Sequence, residues 1–406
     1  MGALKAIPRL LYIGEVPVEA SFHGSILLYR LLQEYPPDRL FIIERGQASL
    51  PGRRLPGVKY GFIPRKTLHP QMSRFELFTA GIGETGELAR LLKQAGTDGV
   101  DGVLTVAHGT GWMAAYRLAN RLRLPLHVIC HDDHVRGISR WPILRQWGEF
   151  SFSRMYASAK SRLCVCHGME QEYYRRYGKK GTVLYPNRDK NAPAAATAPD
   201  RLLSETKQIT AAYAGSLHMA ECENALITLG RILRKCGGRL LVYGSYPDGV
   251  LSAEKIGDAP IEVRSPLSSS ELIKELRETA DFLFVPLPFS PSDSIFVRTS
   301  FPSKLTDYTC VGIPMLFYAP ADSSLMQWAE KSGGAALCIT SNSAVEMESA
   351  VNRLLLEPTL RWQLAQRSIE AGAKDFNYEN AKNILFREIL EREYSWSPSK
   401  IAPELG

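Results

Sequence analysis

Residues 301–318 read Phe-Pro-Ser-Lys-Leu-Thr-Asp-Tyr-Thr-Cys-Val-Gly-Ile-Pro-Met-Leu-Phe-Tyr, and this order constrains the fold more than any other part of the chain. Pro302 has no N–H for a sheet ladder and stops the segment before it. Ser303 is a good N-cap. Leu305 and Tyr308, three residues apart, share one helix face. Gly312 supplies the helix stop, and Pro314 follows two residues on. Residues 315–318 then form a short apolar strand. The pattern is loop, short helix, turn and buried strand.

A helix that starts at Ser303 points free backbone N–H groups at whatever precedes it. Those groups and the helix dipole favour an anion, typically phosphate. Lys304 sits at that end, where the dipole slightly disfavours a cation, so it needs another reason to be there. Asp307 lies one turn in, on the same face. A carboxylate only accepts, and can take both hydroxyls of a ribose. Phosphate at the helix end and ribose on its first turn describe a nucleotide site. The same residues also fit an ordinary capped helix of a βαβ unit with a solvated Lys and Asp.

Pro302-Ser-Lys-Leu-Thr-Asp-Tyr-Thr-Cys-Val-Gly-Ile-Pro314 resembles the donor-site signature of family 4 retaining glycosyltransferases, P-S-K-hydrophobic-x-E-Y-x-A-x-G-x-P. Further segments match in order, so the resemblance spans most of the chain. It implies an α/β GT-B fold, two Rossmann-like domains facing across a cleft. It implies a nucleotide-sugar donor, UDP- or GDP-linked, as co-substrate, with no cofactor and no metal. The second Glu of the family's E-x(7)-E pattern matches Asp307. The first falls on Thr299, a departure.

With 406 residues the chain holds two or three domains with sizeable cores. No apolar run approaches the ~20 residues of a membrane span. The opening MGALKAIPRLLYIG lacks a long apolar core and a small-residue cleavage site, so no signal peptide is expected. Seven scattered cysteines, three of them (Cys130, Cys164, Cys166) in strand-like contexts, suggest buried thiols in a cytoplasmic protein. Cys164-Val-Cys166-His167 would need metal ligands on both faces of a strand. Charge is lopsided. Residues 1–200 carry 28 Lys and Arg against 17 Asp and Glu, and residues 201–406 carry 21 against 25. A basic first half suggests an anionic partner or peripheral contact with the inner membrane face, or simply a basic surface. No nucleic-acid partner is expected.

Taken in order, residues 9–14 read as a first buried strand and residues 26–32 as an apolar-periodic helix behind Gly24 and Ser25. The turn is not the G-x-G-x-x-G fingerprint. The resemblance places His23, Gly24 and Ser25 in the loop against the donor phosphates and the acceptor; Gly24 also reads as a plain turn glycine. Residues 40–44, 100–105, 126–130 and 163–166 are further strands, and 45–66 read as loop. Helices are expected at 113–121 and 170–177. His131-Asp-Asp-His134 stands at the carboxyl end of 126–130, where open α/β sheets place ligands. Four consecutive residues do not readily converge on one ion. The resemblance makes His131 the residue that faces the transferred sugar; a structural histidine at the strand end fits as well. Residues 141–162 form a basic, aromatic helical stretch with Arg145, Trp147, Phe150 and Arg154, suited to an anionic membrane or to a core-facing helix with a solvated basic side.

Residues 188–206 are a linker by composition. The alternation then restarts, with strands at 209–213, 240–244, 261–264 and 281–286 and a helix from the Ser268 cap to residue 279. In the family's pattern, Gly215-Ser-Leu217 stands for G-R-L, so Ser216 takes the place of an Arg that holds diphosphate, and Glu221 that of a Lys. His218, Arg298 or Lys304 are candidates to substitute. The turn with Pro266 and Leu267 corresponds to the base-contacting turn, and the polar loop 287–300, which holds Arg298 and Thr299, to the sugar-contacting loop. Helices follow near 346–356 and 359–373, and a last amphipathic one over 378–394.

The expected domains are 1–190 on the acceptor side, 203–377 for the nucleotide sugar, and 378–406 crossing back to the first. The expected activity is transfer of a sugar, with retention, to a glycan or lipid-linked acceptor hydroxyl in glycan or polysaccharide biosynthesis. Catalytic roles fall to His131 and Lys304. Donor-binding roles fall to Gly215, Ser216, Pro266, Leu267, Arg298, Thr299, Ser303, Lys304 and Asp307. Two alternatives stand beside it: a degenerate GT-B protein that binds nucleotide or partner without catalysis, and a GT-B nucleotide-sugar epimerase.

Overall fold

A computed structural model describes residues 7–21, 24–64, 99–133, 142–205 and 208–390, together with 86 and 90. The chain divides into two compact units. One is built from residues 1–165, 170–184 and 381–406, the other from 166–169 and 185–380.

The first unit holds a seven-stranded sheet of order β3-β2-β1-β4-β5-β6-β7, parallel throughout. Its strands are β1 Leu10–Gly14, β2 Leu40–Arg45, β3 Lys59–Ile63, β4 Gly102–Val106, β5 Leu126–Cys130, β6 Ser161–Cys164 and β7 Thr182–Val183. The apolar runs of β1, β4 and β5 are buried along their whole length, as strands covered on both faces must be. Sheet order reverses at β1, which lies between β2 and β4. Helix Gly111–Leu122 begins hard against the end of β1. A Cβ on Gly111 would lie 3.0 Å from Glu15 N and 3.1 Å from Gly14 Cα, so any side chain there would press on that backbone.

Two expectations fail in this unit. Residues 45–66 are not all loop, because β3 lies within them. It is a half-exposed edge strand whose pairing with β2 is made by backbone, so Lys59 and Gly61 do not prevent it. The long helical reading of 141–162 also breaks early. Helix Pro142–Ser158 ends, and Ser161 and Arg162 already belong to β6. The Arg162 guanidinium turns back and donates to the carbonyls of Tyr156, Ala157 and Ala159, closing the helix end.

The second unit holds a six-stranded parallel sheet of order β10-β9-β8-β11-β12-β13. Its strands are β8 Thr210–Ala214, β9 Arg239–Tyr243, β10 Ile261–Arg264, β11 Phe282–Pro286, β12 Met315–Tyr318 and β13 Leu337–Ile339. Its core gathers Ile209, Tyr213, Leu226, Leu233, Val242, Phe284 and Leu316. Helix Ser269–Thr279 starts with a full capping box, Ser268 and Glu271 each accepting from the other's backbone N–H. Gly312, at φ 70°, ends helix Leu305–Val311 in the left-handed conformation that glycine allows.

The loop expected over 287–300 contains helix Ser294–Thr299, and helix Ser324–Lys331 and β13 lie unforeseen between the signature and the two later helices. The Pro- and Ala-rich segment after residue 187 is tied down. Arg361, almost fully buried, donates to the carbonyls of Leu202 and Ser204 as well as of Leu354 and Leu355. The last helix, Tyr378–Leu390, sends Ala381, Leu385 and Ile389 into the core of the first unit. Residues 391–394 of the expected helix lie outside the described residues. Among the described residues no helix is long and apolar enough to cross a membrane.

Candidate functional site

At the carboxyl end of β8 the chain turns at Gly215, φ 138°, a conformation in which a side chain would be strained. Two hydroxyls pin this turn: Tyr246 donates to Gly215 O at 2.8 Å and Tyr213 to Ser216 O at 2.7 Å. The signature helix is locked to the same strand end, since Ala214 N donates to the Tyr308 hydroxyl at 2.6 Å. That lock delivers Lys304. Its Nζ lies 3.7 Å from the centre of the Tyr213 ring and would be 3.2 Å from a Cβ on Gly215. An ammonium over an aromatic face is held by the ring quadrupole. Burial draws its pKa down from the ordinary lysine value to about 7, with Cys222 pulling weakly the other way.

The start of the signature helix differs from the expectation. Ser303 does not cap it. The helix runs Leu305–Val311 behind a tight turn in which Leu305 N, Thr306 N and Asp307 N bond the carbonyls of Pro302, Ser303 and Lys304, each at 3.1 Å. Those N–H groups are therefore spent within the turn and are not presented to an anion. Ser303 itself is exposed, and its carbonyl also accepts from the Thr306 hydroxyl at 2.8 Å. Asp307, half-buried, accepts from the Ser269 hydroxyl at 2.8 Å, which joins the signature helix to the start of helix Ser269–Thr279.

Other predicted residues are spread around this centre. Thr299 is fully buried, and its hydroxyl donates back to Ile295 O at 2.7 Å, so it serves its own helix. Arg298 bonds Ser294 O and stands 3.8 Å from the Asp322 carboxylate. Ser216 is exposed. Pro266 is exposed and Leu267 half-buried, just before the Ser268 cap. The Glu221 carboxylate accepts from Phe289 N at 2.6 Å and Ser290 N at 3.1 Å, so it fastens the loop after β11. The structure thus brings Gly215 and Lys304 together and sets Ser269 on Asp307, while Thr299 and Arg298 engage protein groups. Sequence reasoning missed Tyr213 and Ser269. Ser269 could have been found from its place just after the Ser268 cap; nothing local marks Tyr213.

In the first unit His131 follows β5 and is half-buried. Burial lowers its pKa, Asp132 opposes and His108 lowers it further, so the surroundings favour the neutral imidazole. Asp133 is committed to the Arg176 guanidinium at 2.9 and 3.1 Å. His134 and His23 lie outside the described residues. Gly24 and Ser25 open helix Gly24–Leu32, and a Cβ on Gly24 would make only an ordinary 3.5 Å contact with Val16, so space does not demand glycine there. At the ends of β1, β2 and β4 the Glu15 carboxylate accepts from Arg45 Nη1 at 2.5 Å and from Thr110 N and Oγ1 at 2.9 and 2.7 Å.

No protein-family model matches the chain, and no curated protein matches its sequence. Solved structures do resemble it. HepE from Anabaena in complex with UDP is 12% identical, with a TM-score of 0.67 over 93% of this chain and 98% of that one. Sucrose-phosphate synthase from Thermosynechococcus elongatus is 14% identical, with a TM-score of 0.64 over 94% and 99%. The lipopolysaccharide outer core galactosyltransferase WaaB is 13% identical, with a TM-score of 0.62 over 93% and 99%. At such identities the likeness is one of fold, and the two parallel-sheet α/β units are those of the GT-B fold.

Proposed function

We propose that this protein is a glycosyltransferase that moves a sugar from a nucleotide-sugar donor to an acceptor hydroxyl. The observation that carries the reading is Lys304, a half-buried ammonium beside the Gly215 turn, at the start of the short helix that carries Asp307. Asp307, steadied by Ser269, accepts from the ribose hydroxyls. Lys304 answers the charge that grows on the diphosphate as it leaves. The donor is UDP- or GDP-linked. UDP is the first choice, because HepE was solved with UDP, with UDP and glucose, and with UDP-glucose. Retention and a glycan or lipid-linked acceptor rest on the signature's resemblance alone. A panel of UDP- and GDP-sugars tests the reading by thermal shift and by release of free nucleotide. One donor should raise the melting temperature and be turned over; no response to any of them removes the reading.

A second reading is binding without catalysis. Glu221 and Thr299 favour it, since both are committed to protein groups where the signature's relatives carry ligand-facing residues. A donor that raises melting but releases no nucleotide, with or without acceptor glycans, would establish this reading instead.

His131 takes the sugar or the acceptor in this scheme, as a neutral imidazole with one donor and one acceptor nitrogen. His131→Ala should lower turnover about 10²-fold, the scale of a misplaced substrate. UDP affinity should stay nearly intact, because the nucleotide residues belong to the other unit. Equal turnover at matched folded fraction would remove His131 from the site.

The protein works in the cytoplasm, at the inner membrane face. Helix Pro142–Ser158 supports this, with Ile143 78% and Phe150 60% exposed, Arg145 and Arg154 exposed beside them, and the Arg154 guanidinium 5.8 Å over the Phe150 ring. Phe150→Asp should weaken flotation with anionic vesicles, and raised salt should weaken it further by screening. Wild-type protein that fails to float at low salt would point to a soluble acceptor.

A further inference from the structure

Arg188 is a buried cation that nothing so far explains. It follows β7 in a segment with the composition of a linker, yet only 7% of it is exposed. Its backbone N donates to Phe376 O at 2.9 Å. Its guanidinium reaches helix Leu305–Val311, with Nε donating to Thr306 O at 3.3 Å and Nη2 to the Thr309 hydroxyl at 2.8 Å. Both acceptors are neutral. The room for it is made by Gly372, where a Cβ would run into Nη2 and into Thr309. A buried charge whose hydrogen-bond partners are neutral is costly to desolvate.

The nucleotide site, as read above, is short of positive charge. The helix has seven residues and its first N–H groups are spent in their own turn. Burial weakens the hold of Lys304 on its proton, drawing its pKa below the ordinary lysine value. Cys222, close enough to feel Lys304, also feels the Glu221 and Asp293 carboxylates. An arginine stays charged at all working pH values. Burial presses Arg188 down from the ordinary value, and Asp307 and Cys310 act against that, so the guanidinium and the Asp307 carboxylate feel one another. Its contacts, Thr306 O and the Thr309 side chain, flank Asp307 along the helix.

We propose that Arg188 is a positioning residue of the nucleotide site: it holds helix Leu305–Val311 through Thr306 and Thr309, and it lends Asp307 and the diphosphate a permanent buried positive charge. The role rests on the nucleotide-site reading above.

Arg188→Met keeps most of the volume and removes the charge; Arg188→Lys keeps the charge and loses the fork. Calorimetry with UDP and with uridine, and with GDP and guanosine in parallel, separates charge from shape. Arg188→Met should bind the diphosphate about tenfold more weakly, while affinity for the nucleoside changes little. Arg188→Lys should recover most of the loss, and it remains the working comparison if the methionine variant does not fold. Equal losses for diphosphate and nucleoside would make Arg188 purely structural, and no loss for either would remove it from the site. Wild-type protein that binds neither diphosphate would instead remove the nucleotide site itself, and this role with it.

Discussion

Lys304→Ala should cut turnover about 10²–10³-fold, the cost of removing one preorganised group aimed at developing charge. The protein should remain folded. In the free protein the ammonium is under strain from burial, which is why its pKa falls to about 7. A lysine whose folded pKa lies below its unfolded value destabilises the fold while it is protonated. Between about pH 7 and the unfolded lysine value near 10.4 the unfolded chain binds the extra proton, so stability rises with pH. The alanine variant should lose that rise, and its melting at pH 6 should not fall. A bound diphosphate acts in the opposite direction, because it favours the ammonium and lifts its pKa. UDP binding above pH 7 should therefore take up a proton, and affinity should decline as pH rises. Calorimetry at pH 8 in two buffers of different ionisation heat measures the uptake. Identical heats in both would mean that Lys304 meets no phosphate.

Asp307→Ala should weaken UDP binding by about 1.5–3 kcal/mol, the worth of hydrogen bonds to a charged acceptor. That is roughly a tenfold to hundredfold rise in Kd. Asp307 carries two tasks that can be separated. It accepts from Ser269, at 2.8 Å, and in the proposed complex from the ribose. Asp307→Asn keeps an oxygen for Ser269 but loses the charge and half of the acceptor capacity. It should fall between wild type and alanine. A 2′,3′-dideoxy analogue of UDP should bind wild type weakly and lose nothing further in Asp307→Ala. Unchanged UDP affinity in the alanine variant would sink the ribose assignment.

Much of the fold was legible because its signals are local. Residues 126–130 and 261–264 form strands over the residues expected, since a short apolar or β-branched run between turn residues needs little from the rest of the chain. The Ser268 cap and the Gly312 stop were readable for the same reason, each being satisfied within a few residues. β3 was not, because an edge strand that pairs by backbone carries little apolar signal. Helix Ser294–Thr299 is six residues long, too short for its period to emerge from a polar segment. The start of the signature helix depends on whether three N–H groups bond a serine side chain or the carbonyls of a tight turn, and the residues permit both.

The sequence by itself determined that Lys304 stands at the start of, and Asp307 one turn into, a short helix between Pro302 and Gly312, with a strand behind it. Spacing along a helix is fixed by its pitch, so this needed no tertiary information. Only the tertiary structure decided what those side chains meet. The Tyr213 ring lies 91 positions before Lys304, Ser269 lies 38 before Asp307, and Arg188 reaches Thr309 across 121. Such meetings follow from the order in which parallel strands are laid beside one another, and burial then sets the charge of Lys304. A lysine is a solvated cation or a half-neutral buried amine according to its surroundings, and those surroundings are assembled from residues that no local pattern connects.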